Sequence, residues 1–105
     1  MVAVASEGCA FYIDYKPELE NDLTFVIASP EPIVEGHSLV VPKRHCGDYF
    51  EMSERKIRAV NELLKIRRKE LLERNRTIKG FEVMANMGNL VDYSGHCQVH
   101  LVPRG

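Results

Sequence analysis

The sequence predicts an α+β domain in which one long helix packs on a mostly antiparallel sheet of about five strands. Short runs rich in β-branched and aromatic residues lie on both sides of a single long helical pattern. Proline, glycine and asparagine turn signals separate these runs. The 105 residues are enough for one domain, which we expect to span 1–105 and which could include a second short helix.

Strands are predicted where short apolar runs end at prolines or at charged turns. Two prolines in the segment 29–32 end the run before it, because proline has no N–H to donate to a strand ladder. The charged segment 14–22 is predicted to be a turn region. The predicted strands are 11–13, 23–28, 37–41, 81–85 and 96–102, the third ended by Pro42 and the last by Pro103.

The long helix is predicted to begin after Ser53, whose hydroxyl suits an N-cap, and to fray near Asn75. Its apolar stripe consists of Ile57, Val60, Leu63, Leu64, Leu71 and Leu72. The charged residues of the segment 67–74 lie largely off this stripe. We interpret them, Arg67 included, as a solvated face rather than a binding patch.

Composition and charge exclude several classes of partner. The formal net charge of -1 provides no basic field for nucleic acid or an anionic membrane. No apolar run approaches the roughly 18–20 residues of a membrane span, and the first residues do not resemble a signal peptide. Three cysteines are an odd and sparse set that indicates a reducing compartment. We therefore expect a cytoplasmic protein.

The last predicted strand carries the chemistry. Alternate side chains of a strand share a face, so His96, Gln98 and His100 point one way while the apolar residues between them point the other. Taken alone, this row could be an accident of an exposed strand face. The turn-like segment 86–89 adds Asn86 and flexible backbone N–H groups that suit a phosphate or an oxyanion.

The segments GHSLVVPKRH (36–45) and HCQVHLVPR (96–104) resemble the two signature segments of the histidine-triad superfamily. That resemblance covers roughly residues 23 to 104. It implies an α+β domain that pairs into a homodimer and binds a purine nucleotide in a cleft. In this family the second histidine attacks the α-phosphorus and forms a covalent nucleotidyl intermediate.

The resemblance also assigns roles to residues of this chain. Phe11 and Ile27 fall on the apolar positions of the base pocket, and Ser29 falls where the family has a ribose-binding aspartate. Ser94 is the best remaining hydroxyl donor for phosphate. His37 would lie behind the triad and orient His100 through a hydrogen bond, although it could simply satisfy a strand end.

Gln98 occupies the position of the nucleophile. An amide nitrogen has its lone pair delocalised into the carbonyl, so Gln98 should hold a phosphate oxygen without attacking phosphorus. Catalysis by His96 or His100 would need the phosphorus to move by roughly 7 Å along the strand. An alternative register resembles family branches that read His-x-His-x-Gln, and there His96 is the nucleophile.

The functional hypotheses differ in whether this site binds a nucleotide and whether it catalyses a reaction. We favour a nucleotide-binding protein with weak or no turnover. The alternatives are an active nucleotidyl hydrolase or transferase with His96 as nucleophile, and an interaction module that binds no nucleotide. No cofactor or metal is expected, because Tyr12 replaces one cysteine of the zinc site that some relatives carry.

Overall fold

The computed structural model describes residues 16–43, 49–85 and 98–105. These form five strands, a short 3-10 helix at Tyr49–Glu51 and one long α-helix. The strands are β1 (Leu19–Glu20), β2 (Thr24–Ala28), β3 (Ser38–Pro42), β4 (Gly80–Ala85) and β5 (Val99–Arg104), and the helix α1 (Glu54–Arg74) lies between β3 and β4. The strand predicted at 11–13 lies outside the described residues.

The strands form a single antiparallel sheet in the order β1-β2-β3-β5-β4. β3 and β5 are neighbours although α1 and β4 separate them in the chain, and Leu39 pairs with His100 in their register. The α+β prediction, with about five strands and one long helix, is confirmed. None of the helices in the described part of the chain is long and apolar enough to cross a membrane.

Local signals explain where α1 begins and ends. The hydroxyl of Ser53 accepts a hydrogen bond from the backbone N–H of Lys56 at 3.2 Å, which satisfies one of the free donors of the first turn. The backbone N–H of Asn75 donates to the carbonyl of Leu71 at 3.0 Å and closes the last turn. Both predicted ends of the helix are therefore confirmed.

The main core lies between α1 and one face of the sheet. Its buried members are Val26, Val40, Met52, Val60, Leu63 and Val99. The other face of the central strands is also buried, at Phe25, Ile27, Leu39 and Val41. Burial on both faces explains why the sequences of β2 and β3 are continuous apolar runs rather than alternating ones.

The segment 14–22, predicted to be a turn region, contains the two-residue strand β1. Leu19 pairs with Val26, and the chain then turns at Asn21, whose Oδ1 accepts the backbone N–H of Leu23 at 3.1 Å and of Thr24 at 2.9 Å. A strand of two residues is too short for sequence alternation to reveal.

The predicted ends of two strands at prolines are wrong. β3 includes Pro42, which pairs with Thr24 of β2. β5 continues through Pro103, which pairs with Phe81 of β4. β3 pairs with β5 only from Val99 to Leu101, so β5 has one hydrogen-bonded neighbour beyond that point. A proline is tolerated there because only one side of the strand needs donors.

Arg67 is not part of a solvated face, contrary to the interpretation of the charged segment 67–74. It is only 3% exposed and lies on the buried side of α1 with Val60, Leu63 and Leu71. These four positions follow the i, i+3, i+7, i+11 spacing of one helix face. Its guanidinium reaches three oxygen atoms, which makes burial of the charge possible.

Candidate functional site

Polar side chains meet at one small cavity on the face of the sheet opposite α1. The cavity has a volume of about 50 Å³ and is lined by Ser29, Pro30, Glu31, His37, Leu39, Gln98 and His100. Three parts of the chain supply them: the loop between β2 and β3, β3 itself, and the beginning of β5. The antiparallel pairing of β3 with β5 brings these distant segments together.

The alternation of β5 separates the cavity from the core. Val99 and Leu101 are 2% exposed, and Val99 belongs to the core beneath α1. Gln98 and His100 project from the opposite face and line the cavity. Two of the three side chains predicted to share a face therefore do so, and the third, His96, lies outside the described residues.

A hydrogen bond joins the two histidines of the cavity. Nε2 of His37 lies 2.9 Å from Nδ1 of His100. Nδ1 of His37 accepts the backbone N–H of Ile33 at 3.1 Å, so the proton of a neutral His37 ring belongs on Nε2. Nε2 then donates to Nδ1 of His100, and a neutral His100 carries its own proton on Nε2.

His37 is favoured in its neutral form. It is 4% exposed, and burial lowers its pKa below the ordinary value for histidine. The neighbouring charges of His100 and Arg104 lower this pKa further, in that order. A neutral ring keeps Nδ1 available as an acceptor for Ile33, which preserves the direction of the hydrogen bond to His100.

Gln98 lines the cavity with a buried side-chain amide. The side chain is 2% exposed, and its Nε2 has no hydrogen-bond partner among the described residues. An unsatisfied buried amide costs about 1–3 kcal/mol. A ligand oxygen in the cavity would satisfy it.

Ser29 lies at the rim of this cavity, directly after β2. Its hydroxyl accepts the backbone N–H of Glu31 at 3.3 Å, which holds the beginning of the loop between β2 and β3. Ser29 and His37 also line a larger groove of about 490 Å³ that reaches the C-terminal half of α1. The loop from Ser29 to His37 thus separates two concave surfaces.

The remaining predicted site residues divide into two groups. Ile27 is 1% exposed and pairs with Leu39, next to the cavity but not among its lining residues. Phe11, Asn86, Ser94 and His96 lie outside the described residues.

The sequence interpretation missed Pro30, Glu31 and Leu39 as lining residues. Leu39 could have been found, because it is two residues from His37 and alternate residues of a strand share a face. Glu31 could not, because it lies in a loop whose course follows no periodic pattern.

Comparisons with known proteins agree with this architecture. A family model described as the HIT domain matches residues 13–105. A HIT-like protein of Mycoplasma genitalium, itself uncharacterized, is 28% identical over 88 residues, which are 81% of this chain and 60% of that protein. The chain therefore spans about 60% of the length of this curated relative.

Solved structures show the same fold. A HIT family protein from Bacillus anthracis superimposes with a TM-score of 0.80 at 22% identity, covering 94% of this chain and 74% of that one. A protein from Sulfolobus tokodaii, described as a hypothetical histidine triad nucleotide-binding protein, gives 0.75 at 22% identity, with coverages of 93% and 68%. Since the family model also covers most of the sequence, the chain belongs to the HIT domain family.

Proposed function

We propose that this protein binds a purine nucleotide through its α-phosphate and turns it over slowly or not at all. The observation that carries the proposal is the buried amide of Gln98, whose Nε2 has no partner in the described part of the chain and lines a cavity beside His100. The amide of Gln98 supplies an N–H donor that suits an anionic oxygen.

The cavity size supports a phosphate group rather than a whole nucleotide at this point. A volume of about 50 Å³ is too small for a base or a sugar. In this proposal Ser29 contacts the ribose, and Ile27 and Phe11 contribute to the base pocket. Asn86 and Ser94 would add phosphate donors. His37 acts behind them through its bond to His100.

The weak turnover follows from the chemistry of an amide. Nδ1 of His100 already accepts a hydrogen bond from His37, so it has no lone pair for phosphorus. The Gln98 nitrogen has its lone pair delocalised. Neither of these two groups supplies a nucleophile in the arrangement observed.

We also propose a homodimer formed through β4. Val83 is 58% exposed and Met84 37% exposed on this strand, the last one on its side of the described sheet. α1 packs mainly on β1, β2, β3 and β5, which leaves β4 accessible. An exposed apolar edge strand can pair with its own copy about a two-fold axis. The sparse cysteine set supports a cytoplasmic location.

Calorimetric titration with AMP, adenosine and inorganic phosphate tests the nucleotide proposal. We expect AMP to bind and adenosine to bind at least about tenfold more weakly, because hydrogen bonds to a charged group contribute about 1.5–3 kcal/mol. Gln98→Leu should weaken AMP binding by a similar factor and leave adenosine binding unchanged. The exposed amide Asn61 on α1 provides the matched control, Asn61→Leu.

Absence of AMP binding to the parent protein would contradict the proposal and favour an interaction module that binds no nucleotide. Equal affinities for AMP and adenosine would mean that Gln98 and His100 do not contribute to the binding free energy through the phosphate.

A further inference from the structure

The buried arginine of α1 is connected to the loop that carries His37. Nε of Arg67 donates to the hydroxyl of Ser38 at 2.9 Å, and Nη1 donates to a carboxylate oxygen of Glu70 at 3.0 Å. Nη2 donates to Glu18. Each of its three nitrogens therefore has an oxygen partner, and the contact to Ser38 is the one that reaches the sheet.

Ser38 continues the connection toward the candidate site. Its hydroxyl donates to the backbone carbonyl of Gly36 at 2.9 Å while it accepts from Arg67. Gly36 has a positive φ of 93°, and the loop closes there. His37 lies between Gly36 and Ser38 in the chain. The hydrogen bond from the Ser38 hydroxyl to the Gly36 carbonyl therefore joins the residues before and after His37.

Two further hydrogen bonds fix His37 within this closed loop. The backbone N–H of His37 donates to the carbonyl of Val34 at 3.2 Å, and its carbonyl accepts the N–H of Ser29 at 2.9 Å. The ring accepts the N–H of Ile33. The orientation of the ring toward His100 thus depends on the path of residues 29–38. Arg67 is a hydrogen-bonded connection from α1 to this segment.

Packing alone does not require an arginine at this position. A buried ion pair can often be replaced by an apolar residue of similar volume without loss of stability, because both charges lose hydration on burial. The partners Glu18 and Glu70 keep about 43% and 32% of their side-chain exposure, so water can solvate them without Arg67.

We propose that Arg67 is a positioning residue for the His37–His100 pair. Its guanidinium donates to the Ser38 hydroxyl, and that hydroxyl donates to the Gly36 carbonyl. These two hydrogen bonds fix the end of the loop and thereby the orientation of the His37 ring. Arg67 and His37 line the same groove, and His37 also lines the small cavity together with His100. The consequence for ligand binding rests on the function proposed above.

The decisive measurement is made without ligand, on the ring nitrogens of His37 by ¹⁵N NMR. In the parent protein we expect one neutral tautomer with the proton on Nε2, assigned by its absence from His37→Gln. Arg67→Met keeps the volume and removes the three donors, and it should fold. Its His37 signals should show both tautomers or exchange broadening. AMP affinity should fall by about tenfold, because small displacements of a binding group are costly.

Leu63→Ala is the matched control on the same buried face of α1. It loosens packing between helix and sheet but leaves the Arg67 hydrogen bonds in place, so the His37 signals should match those of the parent. Ser38→Ala removes a single hydroxyl and should reproduce the effect of Arg67→Met. If Arg67→Met fails to fold, Ser38→Ala tests whether the same hydrogen-bonded connection orients the His37 ring.

A single His37 tautomer of parental type in both Arg67→Met and Ser38→Ala would overturn the proposal. So would an equal disturbance in Leu63→Ala, because general packing would then be the cause. If the parent binds no AMP, the proposed function fails while the ring spectra still decide whether Arg67 positions His37.

Discussion

Nε2 of His37 lies 2.9 Å from Nδ1 of His100, and the two rings are tilted by 37° with centroids 5.1 Å apart. The separation is that of a hydrogen bond between rings, and the tilt is far from parallel stacking. Because Ile33 occupies the other nitrogen of His37, the bond has one direction in the neutral state. His100 is thereby made a proton donor at Nε2, and this proton order has consequences that can be measured.

The first prediction concerns pH. His37 has a lowered pKa in the folded protein, whereas in the unfolded chain it should titrate near its ordinary value of about 6.5. Between these two values the unfolded chain binds more protons than the folded one. The contribution of His37 to the free energy of unfolding is therefore fully present above about pH 6.5. It is lost as the pH falls toward the folded-state pKa.

Urea unfolding at a series of pH values checks this dependence. The free energy of unfolding should fall as the pH decreases from 7.5 to 5.5, and His37 contributes a slope of at most about 1.4 kcal/mol per pH unit. His37→Gln should show a shallower slope over this interval. An NMR midpoint for His37 at or above that of free histidine would contradict the prediction.

The second prediction concerns the missing nucleophile. Gln98→His places an imidazole with an available lone pair beside His100, so turnover of a nucleoside phosphoramidate should rise by at least about a hundredfold. Mass spectrometry of the quenched reaction should detect a protein–nucleotide adduct. Gln98→Asn adds no nucleophile and should remain as slow as the parent. Fast turnover by the parent itself would show that another group, such as His96, attacks phosphorus.

The sequence predicted those features that follow a repeating physical pattern. The alternation predicted for 96–102 put Gln98 and His100 on a common face, and the hydroxyl of Ser53 marked the beginning of α1. The buried role of Arg67 could not be predicted from charge, because burial depends on Ser38 and Glu18, which lie 29 and 49 residues away in the chain. Such partners come together only in the folded protein.

The third prediction concerns the β4 edge. Val83→Lys places a charge on an exposed apolar strand and should convert the proposed dimer into monomers, because a lysine on an edge strand opposes pairing. Sedimentation velocity at micromolar concentrations measures the change. Ile33→Lys adds the same charge at a comparably exposed apolar residue, 55% against 58%, in the loop before β3. It should leave the association unchanged. A monomeric parent would refute the dimer.

The fourth prediction concerns Gly36, where the loop meets β3. Its φ of 93° is costly for a residue with a side chain, and an added Cβ would lie 3.2 Å from Cγ of Pro103 and 3.3 Å from Cδ2 of Leu71. Gly36→Ala should therefore lower the free energy of unfolding by about 1–2 kcal/mol from the backbone conformation alone. Chemical denaturation measures this loss.

Gly80 provides the matched control, because an added Cβ there has no heavy atom within 4 Å and its φ is not in the left-handed region. Gly80→Ala should leave stability unchanged or raise it slightly, since alanine restricts the unfolded chain. Gly36 is also the residue whose carbonyl Ser38 holds, so Gly36→Ala should weaken AMP binding as well as stability. Equal stability of the two variants would mean that the loop can relax around a side chain at position 36. His37 would then not depend on this turn for its orientation.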